Sequence, residues 1–238
     1  MDNIHVTPPT DEITEIVCIL DRSGSMDHLT SKTIEGYNSF LKDQKAEPGK
    51  ANWTLCLFDG GRNAWNKDAK SYELIHISQD INSIPELTTE VYSANGSTAL
   101  LDAVGNTIKE VYERTKNNPN AKVIMMIITD GEENASVEYK KEQIADMVKE
   151  RQEKDKWAFI FLGANIDSFS TGGGYGVSAG NTMNFSASDA GVQTAYSNMS
   201  ASTKMYRSFS KSSLMNDEVK FDSLVQDNGE QKEDNLNP

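Results

Sequence analysis

The chain has 238 residues, 37% of them hydrophobic and 25% charged, with a formal net charge of -13 and a pI near 4.7. That length suits one large α/β domain with a full core. The acidic balance argues against nucleic acid, whose binding rests on Lys and Arg neutralising phosphates, and equally against an anionic membrane surface. No stretch approaches the ~20 apolar residues of a membrane helix.

Residues 1–14 read as a polar leader containing Pro8-Pro9, without the basic-then-apolar order of a secretory signal. The first strand is Ile16 to Leu20. A helix from about Leu29 to Lys45 follows, with Leu29, Thr33, Tyr37, Phe40 and Leu41 on one face, and Pro48-Gly49 closes it. Trp53 to Phe58 is a second strand. Asp59-Gly60-Gly61 is a turn, and the looser mixing of Tyr72 to Ile77 predicts an edge strand. Cys18 and Cys56 fall inside apolar strand candidates and read as buried free thiols, which suits a reducing, cytoplasmic location.

The loop Ala94-Asn95-Gly96-Ser97 opens a second helix, in which Leu101, Val104, Ile108, Val111 and Tyr112 recur at helical spacing. Val123 to Ile128 is a continuous apolar run, the pattern of a strand covered on both faces, and belongs at the sheet centre. Glu138 to Lys154 is an amphipathic helix with Ile144, Met147 and Val148 inward. Trp157 to Leu162 and Thr182 to Phe185 are strands, and Asp189 to Phe209 is the last helix. The segment Gly172-Gly173-Gly174-Tyr175-Gly176 lacks the order of a phosphate loop and reads as a flexible connection. Residues 211–238 lose periodicity and read as an acidic, mobile tail, with Leu214, Val219, Phe221, Leu224 and Val225 leaving room for a short docking segment. Strands alternating with helices predict a parallel sheet with crossover helices.

Asp21-Arg22-Ser23-Gly24-Ser25 puts one carboxylate and two hydroxyls in a turn where the first strand ends. Open α/β sheets bind ligands at such ends. Gly96-Ser97-Thr98 places a hydroxyl at a helix N-terminus, and Thr129-Asp130-Gly131 ends the central strand. If the first and fourth strands are neighbours, Asp21 and Asp130 end strands ~4.8 Å apart. Two carboxylates with the hydroxyls of Ser23, Ser25 and Thr98 make an all-oxygen set suited to a hard cation such as Mg²⁺, with Mn²⁺ or Ca²⁺ as alternatives. Only two of the five donors are anionic, so a bound ion stays electrophilic and can accept a partner's carboxylate.

These three motifs, in order and each at a strand or helix end, resemble the metal-ion-dependent adhesion site of von Willebrand factor A domains, over about Glu15 to Phe209. The resemblance implies Asp21, Ser23 and Ser25 as first-loop ligands, Thr98 as the second-loop ligand and Asp130 as the third-loop ligand. It also implies a doubly wound, mostly parallel six-stranded sheet of order 3-2-1-4-5-6, with one antiparallel edge strand and helices on both faces. The family includes extracellular adhesion domains and intracellular scaffolds; the absent signal peptide and paired cysteines place this chain nearer the second group.

The expected function is a non-enzymatic protein–protein interaction module. A divalent cation would bind an Asp or Glu of a protein partner. Glu132 and Glu133 read as solvent-exposed, Asp102 as solvated, in contact with the helix dipole or holding a water near the site, and Asp27 and His28 as first-helix caps. His5, His28 and His76 are scattered, and no serine has an evident base. A metal-assisted phosphohydrolase is the enzymatic alternative. The second alternative is self-assembly, with Asp217, Glu218, Asp222, Asp227, Glu230, Glu233 or Asp234 of the tail as ligand for a neighbouring molecule.

Overall fold

Long apolar runs at regular intervals build a sheet that helices must cover on both sides. The computed structural model describes residues 11–61, 70–164 and 168–219. In chain order the elements are β1 (Ile13–Asp21), α1 (Thr30–Ala46), β2 (Lys50–Phe58), β3 (Tyr72–Asp80), α2 (Leu100–Thr115) and β4 (Ala121–Thr129). They continue with α3 (Lys141–Asp155), β5 (Ala158–Ala164), α4 (Ser168–Gly174), β6 (Thr182–Phe185), α5 (Asp189–Ser208) and α6 (Lys211–Met215). Short 3₁₀ turns precede α1, follow β3 and precede β6.

The six strands lie in the order β3-β2-β1-β4-β5-β6. Every pairing is parallel except β2 with β3, so β3 is the antiparallel edge. This is the doubly wound architecture expected from the sequence. Strand residues alternate between two cores. Ile16, Cys18 and Leu20 join Trp53, Leu57 and Met126 beneath α1 and α5, while Val17, Ile19, Cys56 and Ile127 pack under α2 and α3. Cys18 and Cys56 are free and belong to opposite faces of the sheet.

Several local expectations shift. β1 begins at Ile13 rather than Ile16, because Glu15 is buried in the strand beside Arg114. α3 begins at Lys141, not Glu138, since the N–H groups of Val137, Glu138 and Tyr139 are taken by the Asp102 carboxylate. The first three glycines of the 172–176 run end α4 instead of lying in an irregular connection. The start of the expected tail forms α6 and buries Leu214 against the core. Of the other docking candidates Val219 is half-buried, while Phe221, Leu224 and Val225, and the tail carboxylates from Asp222 onward, lie outside the described residues.

The chain passes from β1 to β2 on one side and places β4 on the other. The C-terminal ends of β1 and β4 therefore flank the switch point, where loops diverge and leave a crevice.

Candidate functional site

Leu20 pairs with Ile128, which brings Asp21 level with Thr129 and leaves Asp130 one residue beyond. The hydrogen bonds follow this register. Asp21 is fully buried; its Oδ1 accepts the Ser23 N–H at 2.7 Å and its Oδ2 accepts the Thr129 hydroxyl at 2.6 Å. Asp130 is reached through Ser25, whose Oγ donates to Asp130 Oδ1 at 2.6 Å. The hydroxyls of Ser23 and Ser25 lie 3.0 Å apart. Four of the five expected residues are thus linked directly, with Thr129 an added link between the strand ends.

Thr98 joins them across Gly131. A methyl group placed on Gly131 would lie 3.2 Å from the Thr98 hydroxyl oxygen and 3.4 Å from the Ser25 hydroxyl oxygen. The absent side chain keeps a small space open between these oxygens.

Among the described residues, no basic side chain neutralises the Asp21 carboxylate. The adjacent Arg22 turns away, its Nε on Asp59 at 2.9 Å and its Nη1 on Glu73 at 3.3 Å. Burial pushes the Asp21 carboxyl up to about 6, against the pull of its hydrogen bonds from Thr129 and Ser23, and the charge of Asp130 pushes the same way. Asp130 is also raised, mainly by burial, while Ser25 and the nearby His28 hold it down. Two buried carboxylates with raised pKa values and no ion pair among the described residues mark a place where a positive charge is missing.

The three loops are tied to one another. The Gly24 N–H donates to the Gly96 carbonyl at 2.9 Å and the Asn95 N–H to the Arg22 carbonyl at 2.7 Å, strapping the second loop to the first. The Tyr92 hydroxyl donates to the Asp21 carbonyl at 2.6 Å. The third loop is held to the second by the N–H groups of Asn134 and Ala135 on the Thr98 carbonyl, and by the Thr98 N–H on Asn134 Oδ1.

Two acidic residues have structural duties unlike those expected. Glu133 is half-buried, and its carboxylate accepts the N–H groups of Leu101, Ala135 and Ser136 and the Ser136 hydroxyl. With Ser136 Oγ on the Asp102 N–H, it satisfies the open N-terminus of α2. Neither Ser97 nor Thr98 caps that helix; its N-cap position is Ala99. Asp102 is 1% exposed and fixes the 137–139 backbone, so it is neither solvated nor free to hold a water in the crevice. Glu132 is exposed as expected. His28 and Asp27 do not cap α1, whose N-cap position is Leu29; His28 Nδ1 instead pairs with the Ser25 carbonyl at 2.8 Å. Tyr92, Glu133 and Asn134 carry no periodic or motif signal, so only the folded protein reveals their part.

Among the described residues, no three His, Cys, Asp or Glu side chains gather as a metal-binding group. The cluster's donors are two carboxylates and three hydroxyls, a set in which hydroxyls predominate. That chemistry fits Mg²⁺, which favours oxygen ligands and retains water on part of its shell.

An open α/β sheet with an oxygen-rich crevice at its switch point defines a ligand-binding architecture rather than an activity. The model of the von Willebrand factor type A domain matches residues 15–206, and the chain belongs to that family. A search of curated proteins found no match. Among solved structures it is similar to a von Willebrand factor type A protein from Catenulispora acidiphila, with TM-score 0.53, 14% identity, and coverage of 81% of this chain and 43% of that one. Proximal thread matrix protein 1 from the mussel byssus gives TM-score 0.55 at 12% identity, over 81% of this chain and 48% of that one. The pilus adhesin SpaC from Lactobacillus rhamnosus GG, in its open conformation, gives 0.61 at 13% identity, over 86% and 31%. The chain spans less than half the length of each. At these identities the likeness is one of fold.

Proposed function

We propose that this domain is a non-enzymatic binding module in which Asp21, Ser23, Ser25, Thr98 and Asp130 hold a divalent cation, Mg²⁺ in the first instance, and through it capture an Asp or Glu of a protein partner. One observation carries the reading: Asp21 is fully buried at the switch point with no basic side chain of the described residues against it. A buried carboxylate left without a counter-charge costs stability, and a cation supplied from solution offsets that cost.

The bound ion supplies a Lewis-acidic position for an incoming carboxylate oxygen. The protein's own residues do the rest. Ser23 N–H and the Thr129 hydroxyl fix the Asp21 carboxylate, Ser25 holds Asp130, and the Gly131 gap keeps Thr98 and Ser25 oxygens facing one space. The straps between the loops hold this geometry before any ligand arrives, which lowers the entropy lost on binding. Family membership and the adhesin among the structural relatives support an interaction role.

Hydrolysis of a phosphate ester would need a positioned base or nucleophile. Within the described cluster the serines bond to each other and to Asp130, and the neighbouring His28 pairs with a carbonyl. We place the module in a reducing, cytoplasmic compartment, which suits free thiols at Cys18 and Cys56; recovery from an oxidising compartment on cell fractionation would contradict that placement. The functional test is capture of protein partners from native extract by the immobilised protein. Capture must be lost with chelator and with Asp21→Ala or Thr98→Ala; partners retained equally in all conditions would sink the proposal.

A further inference from the structure

The strap beside the donor set contains a chemically labile bond. The sequence has two Asn-Gly pairs, Asn95-Gly96 and Asn228-Gly229, and the second lies outside the described residues. Asn95 and Gly96 are both exposed in a stretch without regular secondary structure. Gly96 has φ +75° and no Cβ to hinder approach to its nitrogen. Among the described residues, neither its N–H nor the Asn95 carboxamide is engaged in a hydrogen bond.

We propose that Asn95-Gly96 is a site of spontaneous deamidation, and that the product loosens the strap between the Thr98 loop and the Asp21–Ser25 turn. The Gly96 nitrogen gives its proton to hydroxide and attacks Asn95 Cγ. A bond forms between that nitrogen and Cγ, the bond from Cγ to Nδ2 breaks, and ammonia leaves a cyclic succinimide. Water then opens either carbonyl, giving aspartate or isoaspartate at position 95. The balance is amide plus water to acid plus ammonia, with no redox partner. Asparagine is among the thermolabile residues for this kind of reason.

The neighbouring Asx-Gly pairs are protected. Asp59 is held by Arg22 and by the Gly61 N–H. Asp130 is 9% exposed, and the Gly131 N–H donates to Thr129 Oγ1. Only Asn95-Gly96 combines exposure with free reacting groups among these described pairs.

Geometry sets the consequence. The bonds Asn95 N–H to Arg22 carbonyl and Gly24 N–H to Gly96 carbonyl sit on either side of the reacting linkage. Isoaspartate inserts a methylene into the main chain between them, so both cannot persist with their present lengths. Thr98 follows two residues later. Either product also adds a negative charge to the rim.

The effect on metal response rests on the function proposed above; the modification itself does not. The experiment ages the metal-free 238-residue chain in warm, mildly alkaline buffer beside an Asn95→Gln variant. Peptide mapping by mass spectrometry should find acid at position 95 of the wild type, in both isomeric forms, and an unchanged amide in the variant. The metal-free melting midpoint should fall with the converted fraction in the wild type only, and so should any rise in midpoint produced by MgCl₂. An intact Asn95 in a digest where Asn228 has converted overturns the proposal. So does a fully converted protein with an unchanged metal-free midpoint. If fresh protein shows no response to MgCl₂, the cation reading fails, while the digest and the metal-free midpoint still decide this one.

Discussion

The two ends of the sheet treat buried charge in opposite ways. At the end where the strands begin, each buried ion lies against an opposite charge or a row of carbonyls. Arg207, 5% exposed near the end of α5, donates to the carbonyls of Gln44, Glu47, Pro48 and Gly49, where α1 terminates. Lys122, 1% exposed, donates to the carbonyls of Arg207 and Phe209 and pairs with Glu12 at 3.4 Å. Glu15 meets Arg114. At the other end Asp21 and Asp130 have hydroxyl and amide partners but, among the described residues, no ion pair. The lower end uses its charges to hold α1, α5 and the strand starts together. The upper end leaves a deficit of positive charge, the kind of local conflict that marks functional sites.

That contrast can be broken most forcefully from below. Arg207→Ala strips a donor from the α1 terminus and should cost about 3–5 kcal/mol of unfolding free energy in a urea titration. Any response to Mg²⁺ should survive in the fraction that folds, since the substitution is remote from the donor oxygens. A loss within error of zero would mean that the carbonyl row is satisfied without the guanidinium.

A substitution at the upper end should act with the opposite sign. In the metal-free protein at neutral pH, Asp21→Asn removes an uncompensated charge and should stabilise by about 3 kcal/mol, the scale of a shift from the ordinary value to about 6. The same shift gives a pH signature. Between about pH 4 and 6 the folded state holds the Asp21 proton while the unfolded state has lost it, so stability of the metal-free protein falls as pH rises through that window. Asp130, also raised, adds in the same direction. Denaturation curves of wild type should show this decline, and Asp21→Asn should flatten it. A wild type that gains stability from pH 4 to 6 through these groups would contradict the charge deficit.

A smaller effect is expected where the upper end is held together. Glu133→Ala opens the N-terminus of α2 and frees the 135–136 backbone, a loss of about 1–2 kcal/mol. If the loop positions Thr98 as argued, Mg²⁺ affinity should also weaken by roughly tenfold, the scale of lost outer support around a metal site. Unchanged affinity would confine Glu133 to helix capping.

Much of this was legible in the sequence because it is periodic or local. Val123 to Ile128 announces a central strand by its unbroken apolar run, and the helix stripes of α1, α2 and α5 follow from spacing. Asp21, Ser23, Ser25 and Asp130 sit within a few positions of strand ends and Thr98 just before α2, so the five could be assembled by assuming that β1 and β4 are neighbours. What escaped is held by contacts between distant segments. Glu133 looks like a surface acid until its carboxylate meets Leu101, 32 residues away in sequence. Asp102 acquires its duty only when the 137–139 backbone folds over it. The glycines that end α4 have poor intrinsic helix propensity, and their tertiary setting overrides it.

The most direct test is calorimetric titration of MgCl₂ into metal-free wild type and Asp21→Asn at neutral pH, with melting midpoints measured in parallel. Saturable binding to the wild type, a midpoint that rises with Mg²⁺, and neither in Asp21→Asn is the expected result. At a hundredfold excess over Kd the stabilisation would be about 2.7 kcal/mol. Equal heats and equal midpoints in the two proteins, or no uptake by the wild type, would contradict a cation centre at the switch point.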